Sequence, residues 1–291
     1  MGASINHILL TRFNLPSIGL ESVIRAKEGW LRQRVELFDQ FCAPSVIAQT
    51  NRNFEWIIYF DPASPEWLRE RIEKYVQAKV FTPIYRETVS NAEMLSDIRG
   101  VIDGEREILI TTNLDNDDGL SNDFVDRVQS VAKAGQRTAI YITNGLIRQS
   151  DGLYLHQYSR NAFVSVQEPW NAPISCWSAW HTEIGERMPV VEVGGAPGWL
   201  QVIHGTNVSN RVQGQLVSPR SYREGFGALL DGVAEPRILD LGRDRLVSRP
   251  ARFFREYTRA AVKRVVMGVL GREGLDSVRL FWRSRLGGGH P

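Results

Sequence analysis

Cysteine is nearly missing from this sequence. Only Cys42 and Cys176 occur in 291 residues, with no CxxC pair. That excludes a disulfide framework and a thiolate zinc site, and a reducing compartment is expected. Long apolar runs are absent too. No stretch reaches the roughly 18 consecutive apolar residues of a membrane-spanning helix. His7-Ile8-Leu9-Leu10 is too short for the core of a signal peptide and reads as a first strand. There is no internal repeat, which excludes a repeat array, and no low-complexity tract. The net charge is small, +2, but unevenly spread. Arg243 to Arg285 holds twelve Arg/Lys against four Asp/Glu, so this tail carries +8 and the rest about −6. The acidic balance of the main part excludes a typical nucleic-acid binder.

What is present is alternation. Ile8-Leu9-Leu10 leads into Thr11-Arg12-Phe13-Asn14, and Leu15 to Gly19 breaks the pattern as a loop. Ser22 to Phe41 has helical apolar spacing, with Pro44 as its expected stop. Phe54 to Phe60 reads as a strand. Ser64-Pro65-Glu66 then reads as a helix start, with a capping hydroxyl, a proline at the first position and an acid in the first turn. A weaker strand over Val80 to Tyr85 contains Pro83. A helix is expected over Asn91 to Val101, a strand over Glu107 to Leu114 and a helix from Ser121. A further strand over Thr138 to Thr143 ends in Asn144-Gly145, read as a turn. Strands alternating with helices predict an α/β fold with a mostly parallel sheet. After about residue 150 the pattern changes to short antiparallel strands, a Trp-rich stretch (Trp170, Trp177, Trp180) and the block Trp199 to His204. Gly225 to Gly242 reads as linker, and Ala251 to Leu270 as a basic, apolar helix.

The chemistry concentrates in Ile108 to Gly119, ILITTNLDNDDG. An apolar strand ends there in Asp115, Asp117 and Asp118, and open α/β sheets bind ligands beyond the carboxyl ends of their strands. Three readings compete. One is an acidic turn, since Asp and Asn favour turns. A second is a calcium loop, but Gly119 stands fifth rather than sixth, and the twelfth position is Asp126 rather than Glu. The third is a Mg²⁺ or Mn²⁺ site in which Asp115 and Asp117 hold a cation that bridges a diphosphate.

Other candidates stand beside more ordinary readings. His204, at the edge of an apolar run, is a metal ligand or a hydrogen-bonded structural histidine. Arg12 and Arg99 could hold phosphate or base, although most arginines are solvated. Phe13 could stack on a base or pack in the core. The tryptophans form a sugar-facing wall or a core cluster. The basic tail lies on an anionic membrane surface, binds nucleic acid, or docks with a solvated face.

Four blocks in order carry a resemblance: Leu9-Leu10-Thr11-Arg12-Phe13-Asn14; Phe54-Glu55-Trp56-Ile57 with Asp61; Thr112-Asn113-Leu114-Asp115-Asn116-Asp117-Asp118; and Trp199-Leu200-Gln201-Val202-Ile203-His204-Gly205. Over about Asn6 to Asn210 the chain resembles the rhamnosyltransferase family of bacterial GT-A-like glycosyltransferases. The resemblance implies a GT-A-like fold over 1–224, with a nucleotide-binding half (1–150) and an acceptor half (151–224). Residues 225–291 then form a linker and basic tail. It implies a D-x-D motif at Asp115 and Asp117, with Asp118 adjacent and His204 completing a Mn²⁺ or Mg²⁺ site. Thr11, Arg12, Phe13, Arg99, Asn113 and Asp115 are expected around the nucleotide. The implied donor is an activated rhamnose, dTDP-linked by preference, and the acceptor a surface-polysaccharide or lipid-linked glycan. The expected location is cytoplasmic, with peripheral membrane contact through the tail. Inverting transfer needs a carboxylate base. Glu168, Glu183, Glu186 and Glu192 are candidates, with Glu183 first because it follows the Trp cluster. The alternatives are a non-catalytic glycan-binding scaffold and a metal-dependent phosphohydrolase.

Overall fold

The computed structural model describes residues 4–16, 29–150, 152–204, 212–254 and 258. It divides into two compact units, Met1–Pro236 and Arg237–Pro291.

The first unit is built on two sheets. Its strands are β1 (Ile5–Arg12), β2 (Glu55–Phe60), β3 (Thr82–Tyr85), β4 (Ile108–Asn113), β5 (Gly119–Leu120), β6 (Thr138–Ile142), β7 (Asn144–Gln149), β8 (Gly152–Gln157), β9 (Ser165–Glu168), β10 (Val190–Val193), β11 (Trp199–Val202) and β12 (Gln215–Val217). The main sheet runs β3-β2-β1-β4-β9-β6-β10. Every neighbouring pair in it is parallel except those made by β9, which lies antiparallel to both β4 and β6. The smaller sheet runs β12-β8-β7-β11-β5. The mixed α/β class expected from the sequence is the one found.

β1, β2 and β4 are nearly continuous apolar runs because both faces of the main sheet are covered. Leu9, Trp56, Ile58 and Ile110 face one buried cluster with Phe38 and Phe81. Ile8, Leu10, Ile57 and Leu109 face the other, with Met94 and Ile98. These last two come from the helix Asn91–Val101, which starts at the expected residue because Ser90 and Glu93 form a reciprocal capping box. Pro83 is tolerated because β3 is an edge strand, where a missing N–H breaks no ladder.

Three expectations fail for identifiable reasons. Pro44 does not stop the first described helix. The chain stays helical from Trp30 to Ile47 through a π-turn at Phe38–Cys42, where the Ala43 N–H donates to Phe38 O. The wider turn makes room for a proline ring that an α-helix interior would reject. Asn144-Gly145 is not a turn but the start of β7. Gly145 is needed there for close approach: a Cβ would lie 2.0 Å from the Trp199 ring. Residues 225–236, read as linker, bury Phe226, Leu229 and Leu230 against the smaller sheet's Leu146, Leu153 and Leu200.

Among the described residues the chain passes between the sheets five times, and two of these passages are short ones that matter for the site. Only Thr143 separates β6 from β7, and only Leu114 to Asp118 separate β4 from β5. The acidic segment is therefore a bridge between the sheets.

The second unit is described over a helix, Ile238–Arg243, continued by a π-turn at Asp244–Ser248 and helical backbone to residue 254. The helix expected over 251–270 lies mostly outside the described residues. Among the described residues no helix is long and apolar enough to cross a membrane.

Candidate active site

The acidic bridge is pinned from both sides. Asn116 Nδ2 donates to the carbonyls of Arg12 (3.0 Å) and Phe13 (2.7 Å), which ties the bridge to the end of β1. Asp118 Oδ1 accepts from the Val202 N–H of β11 at 2.8 Å. Burial and the charges of Asp117 and Asp115 push the Asp118 carboxyl well up. Asp118 thus acts as a structural pin. Cys42 Sγ, in the π-turn, reaches Asp115 O at 3.5 Å.

Asp117 is buried and faces two cationic or donor groups. Its Oδ2 lies 2.9 Å from His204 Nε2 and 2.5 Å from Arg34 Nη1. Arg34 also donates to Asn116 Oδ1 at 3.2 Å. Burial alone would raise the Asp117 carboxyl, but the bond to His204 and the Arg34 charge hold it below its ordinary value. Of the expected metal set Asp115, Asp117 and His204, the structure brings together Asp117 and His204, 87 residues apart, and leaves Asp115 out of the pair.

Asp115 points elsewhere. It lines a cleft of about 730 Å³ together with Arg12, Asn113, Tyr158, Trp177 and Trp180. The residue is exposed to the cleft. Its enclosed position and then the Asp117 charge push its carboxyl up to about 6. Asn113 joins the walls: its Oδ1 accepts from Trp177 Nε1 at 2.8 Å, and its Nδ2 donates to Ala162 O at 2.9 Å. The Arg12 guanidinium stacks 4.0 Å from the Trp177 ring centre. Deeper in the cleft, Trp199 stacks on Phe163 at 5.1 Å. At its surface Trp180 is 69% exposed and Tyr158 41%. His156 and His181 also line it, and burial lowers both below the ordinary imidazole value.

Several expected site residues lie away from this cleft. Phe13 is 2% exposed and packs edge-on against Phe38 and tilted against Phe60, so it is core. Thr11 is buried, and its hydroxyl donates to Leu114 O at 2.8 Å, holding the bridge rather than a nucleotide. Arg99 pairs with Glu105 and lies over Trp170, outside the cleft lining. Glu183 is the N-cap of a one-turn helix, Ile184–Arg187, and does not line the cleft. Glu168 is buried against Arg137 and accepts from the Ile174 and Ser175 N–H groups, a structural role. Glu192 pairs with Arg160. His204 lines a separate hollow of about 410 Å³ with Gln40, Phe41 and Arg148. The sequence reading missed Arg34 altogether. Only its helical spacing was visible, and nothing local marks one arginine among several as the partner of a carboxylate 83 residues on.

The family described as "Putative rhamnosyl transferase" matches residues 6–216. The chain belongs to this family. The rhamnosyl transferase match covers all four blocks and the acidic bridge. No curated protein sequence matches the chain. Similar solved structures include S. aureus TarS, at 10% identity and TM-score 0.38 over 70% of this chain and 37% of that one. GalNAc-T7 with UDP, GalNAc and Mn²⁺ matches at 11% and 0.39, over 71% and 45% respectively. The inositol-1-phosphate CTP transferase from T. maritima matches at 11% and 0.37, over 78% and 97%. The chain thus spans less than half the length of the first two. The fold is mixed α/β with a mostly parallel main sheet.

The donor pair, one carboxylate oxygen and one imidazole nitrogen, suits a divalent transition metal such as Mn²⁺ better than an all-oxygen cation. Asp117 Oδ2 and His204 Nε2, 2.9 Å apart, have the spacing of neighbouring ligands around an ion that binds each at about 2.1 Å. The three carboxylates crowd this short segment, and burial first, then the charge of Asp117, raises Asp115 and Asp118, while Arg34 and Arg12 act in the opposite sense on Asp115. Among the described residues no group of three or more His, Cys, Asp or Glu side chains is set to hold a metal ion. One carboxylate and one imidazole completed by phosphate oxygens and water would be a mixed oxygen and nitrogen shell, unlike the all-oxygen shell usual for Mg²⁺.

Proposed function

We propose that this protein is a glycosyltransferase that moves a sugar, rhamnose by its family, from a nucleotide-diphosphate donor to a glycan acceptor. The observation that supports this most is the Asp117–His204 pair, in which Asp117 stands on the bridge that follows β4 and His204 follows β11, while Asp115 of the same bridge lines an open aromatic cleft. Asp117 and His204 would hold Mn²⁺ or Mg²⁺, which supplies charge to offset the leaving diphosphate. Arg34 and Arg12 add positive charge on either side of the acids. Asn113 and Asp115 form the donor wall. The dTDP-linked donor is the form tested first.

The acceptor is placed at Trp180 and Tyr158, whose exposed aromatic faces suit the apolar face of a pyranose. A lipid-linked glycan would present such a ring equally well. The base is drawn from the cleft itself, from His156, His181 or Asp115. Burial keeps both histidines neutral near pH 7, with a ring nitrogen able to accept the proton of an acceptor hydroxyl. Glu183 stands outside the cleft lining and is not assigned this role.

The test is a thermal-shift series with dTDP-rhamnose, dTDP and UDP, each with and without Mn²⁺. At a hundred times its dissociation constant a donor adds about 2.7 kcal/mol, a rise of roughly 5–10 °C in a protein of this size. Asp117→Asn should lose the Mn²⁺-dependent part of that rise, and His204→Gln should weaken it. A protein stabilised by glycans but by no nucleotide with Mn²⁺ would be a scaffold, not a transferase. Phosphate release from dTDP without any acceptor would mark a phosphohydrolase.

A further inference from the structure

Arg34 stands one helical turn after Trp30, so ring and guanidinium share a face of the helix, with Cζ 5.3 Å from the ring centre. Its side chain is only 15% exposed. Among the described residues its polar contacts all leave from Nη1: a hydrogen bond to Asn116 Oδ1 at 3.2 Å and the ion pair with Asp117 Oδ2 at 2.5 Å. The Asn116 amide cannot turn away, because its Nδ2 is occupied by the carbonyls of Arg12 and Phe13. Its Oδ1 is thereby fixed on the guanidinium. The pair is built in from both sides, unlike an exposed ion pair that salt and side-chain entropy loosen.

The oxygen that Arg34 touches is the one that faces His204 Nε2 at 2.9 Å. A cation held by Asp117 and His204 would therefore share Oδ2 with a fixed guanidinium. Two positive charges on one carboxylate oxygen repel, and in a buried site little water screens them. A carboxylate already paired in this way is a poor trap for a divalent cation alone. A diphosphate reverses the balance. Its oxygens complete the cation's shell, and its charge offsets both positive groups. The guanidinium also has Nε and Nη2 outside the Asp117 and Asn116 contacts, a planar fork suited to a second anion.

We propose that Arg34 couples the two ligands of the site: it keeps the divalent cation from binding by itself and grips the diphosphate that arrives with it. Cation and nucleotide then bind as one. Asn116 is the positioning residue that aims the guanidinium. The proposal rests on the transferase reading of the Asp117–His204 pair and adds to it the order imposed on its ligands.

The test reads Mn²⁺ binding to the full chain from the spin-resonance signal of free Mn²⁺. It is run with and without dTDP or UDP and corrected for the Mn²⁺ that each nucleotide holds in solution. In the parent, nucleotide should tighten Mn²⁺ binding about tenfold. Arg34→Gln removes the charge; it should tighten the binding of Mn²⁺ alone about tenfold and leave nucleotide little further effect. Arg34→Lys keeps the charge without the fork; it should match the parent with Mn²⁺ alone and lose most of the tightening by nucleotide. A merely structural arginine would lower the urea midpoint in both variants with Mn²⁺ binding and its response to nucleotide unchanged, which overturns the proposal. Nucleotide binding that ignores Mn²⁺ yet is lost in Arg34→Gln would make the guanidinium itself the cation of the site and overturn it equally. Should Arg34→Gln not fold, Arg34→Lys decides: a response to nucleotide equal to the parent's overturns the proposal. A parent whose Mn²⁺ binding responds neither to nucleotide nor to Asp117→Asn would overturn the transferase reading, and the proposal with it.

Discussion

His7 makes the molecule acid-sensitive in a way that can be isolated. It sits on β1, 1% exposed, with Nε2 2.8 Å from Thr112 Oγ1 of β4 and Nδ1 3.2 Å from Gln129 Nε2. Burial pushes its imidazole from 6.5 down to about 3. In the unfolded chain it protonates near 6.5. Below that pH the unfolded state takes up a proton that the folded state refuses. The stability is therefore fully present above pH 6.5 and is lost as pH falls toward 3. Each pH unit removes about 1.4 kcal/mol, so the loss is about 2 kcal/mol at pH 5 and about 5 kcal/mol once the folded value is reached. That is comparable to the whole stability of a typical domain. Asp115 and Asp118, with raised carboxyls, act in the opposite sense as they take up protons in the folded state. The parent's own acid curve therefore mixes both effects, and the informative quantity is the difference between parent and His7→Gln. Urea unfolding of both proteins at pH 7.5, 6.5, 5.5 and 5.0 should show the parent losing about 2 kcal/mol more than the variant across that range. Parallel curves for the two proteins would refute the reasoning.

Two other substitutions separate structure from chemistry. Glu168→Ala should destabilise by about 3 kcal/mol, read from the urea midpoint, because it strands Arg137 and two buried N–H groups. Trp180→Ala should leave stability within about 0.5 kcal/mol, since the ring is exposed. It should also raise the acceptor KM about fivefold to tenfold with donor hydrolysis unchanged; a fall in donor hydrolysis would move Trp180 to the donor side.

The elements that sequence made legible are those whose cause is local. β2 and β4 read directly from their apolar runs, and the helix at Asn91 from its capping box, because strand burial and capping need no distant information. Asp115 and Asp117 were legible as the acidic end of a buried strand for the same reason. The errors share one cause, which is tertiary contact. Asn144-Gly145 looked like a reversal because nothing nearby shows that Trp199, 54 residues on, will lie against Gly145. Phe13 and Thr11 sit at a strand end, where ligands bind, yet Phe38 and Leu114 claim them. Glu183 followed the tryptophans in sequence but not into the cleft. Arg34 had no local mark at all, and only the fold brings it to Asp117.

The five-residue bridge has a mechanical consequence. Leu114 N–H donates to Leu10 O on one sheet, while Gly119 pairs with Leu200 on the other and Asp118 holds the Val202 N–H. Whatever grips the carboxylates between these anchors also grips the angle between the sheets. Ligand binding energy would then appear far from the ligand, as slower amide exchange along β11 and β5. The Val202 amide, donated to Asp118 rather than to a neighbouring strand, is the sensitive reporter. Its exchange would measure how tightly the two halves of the cleft are held together.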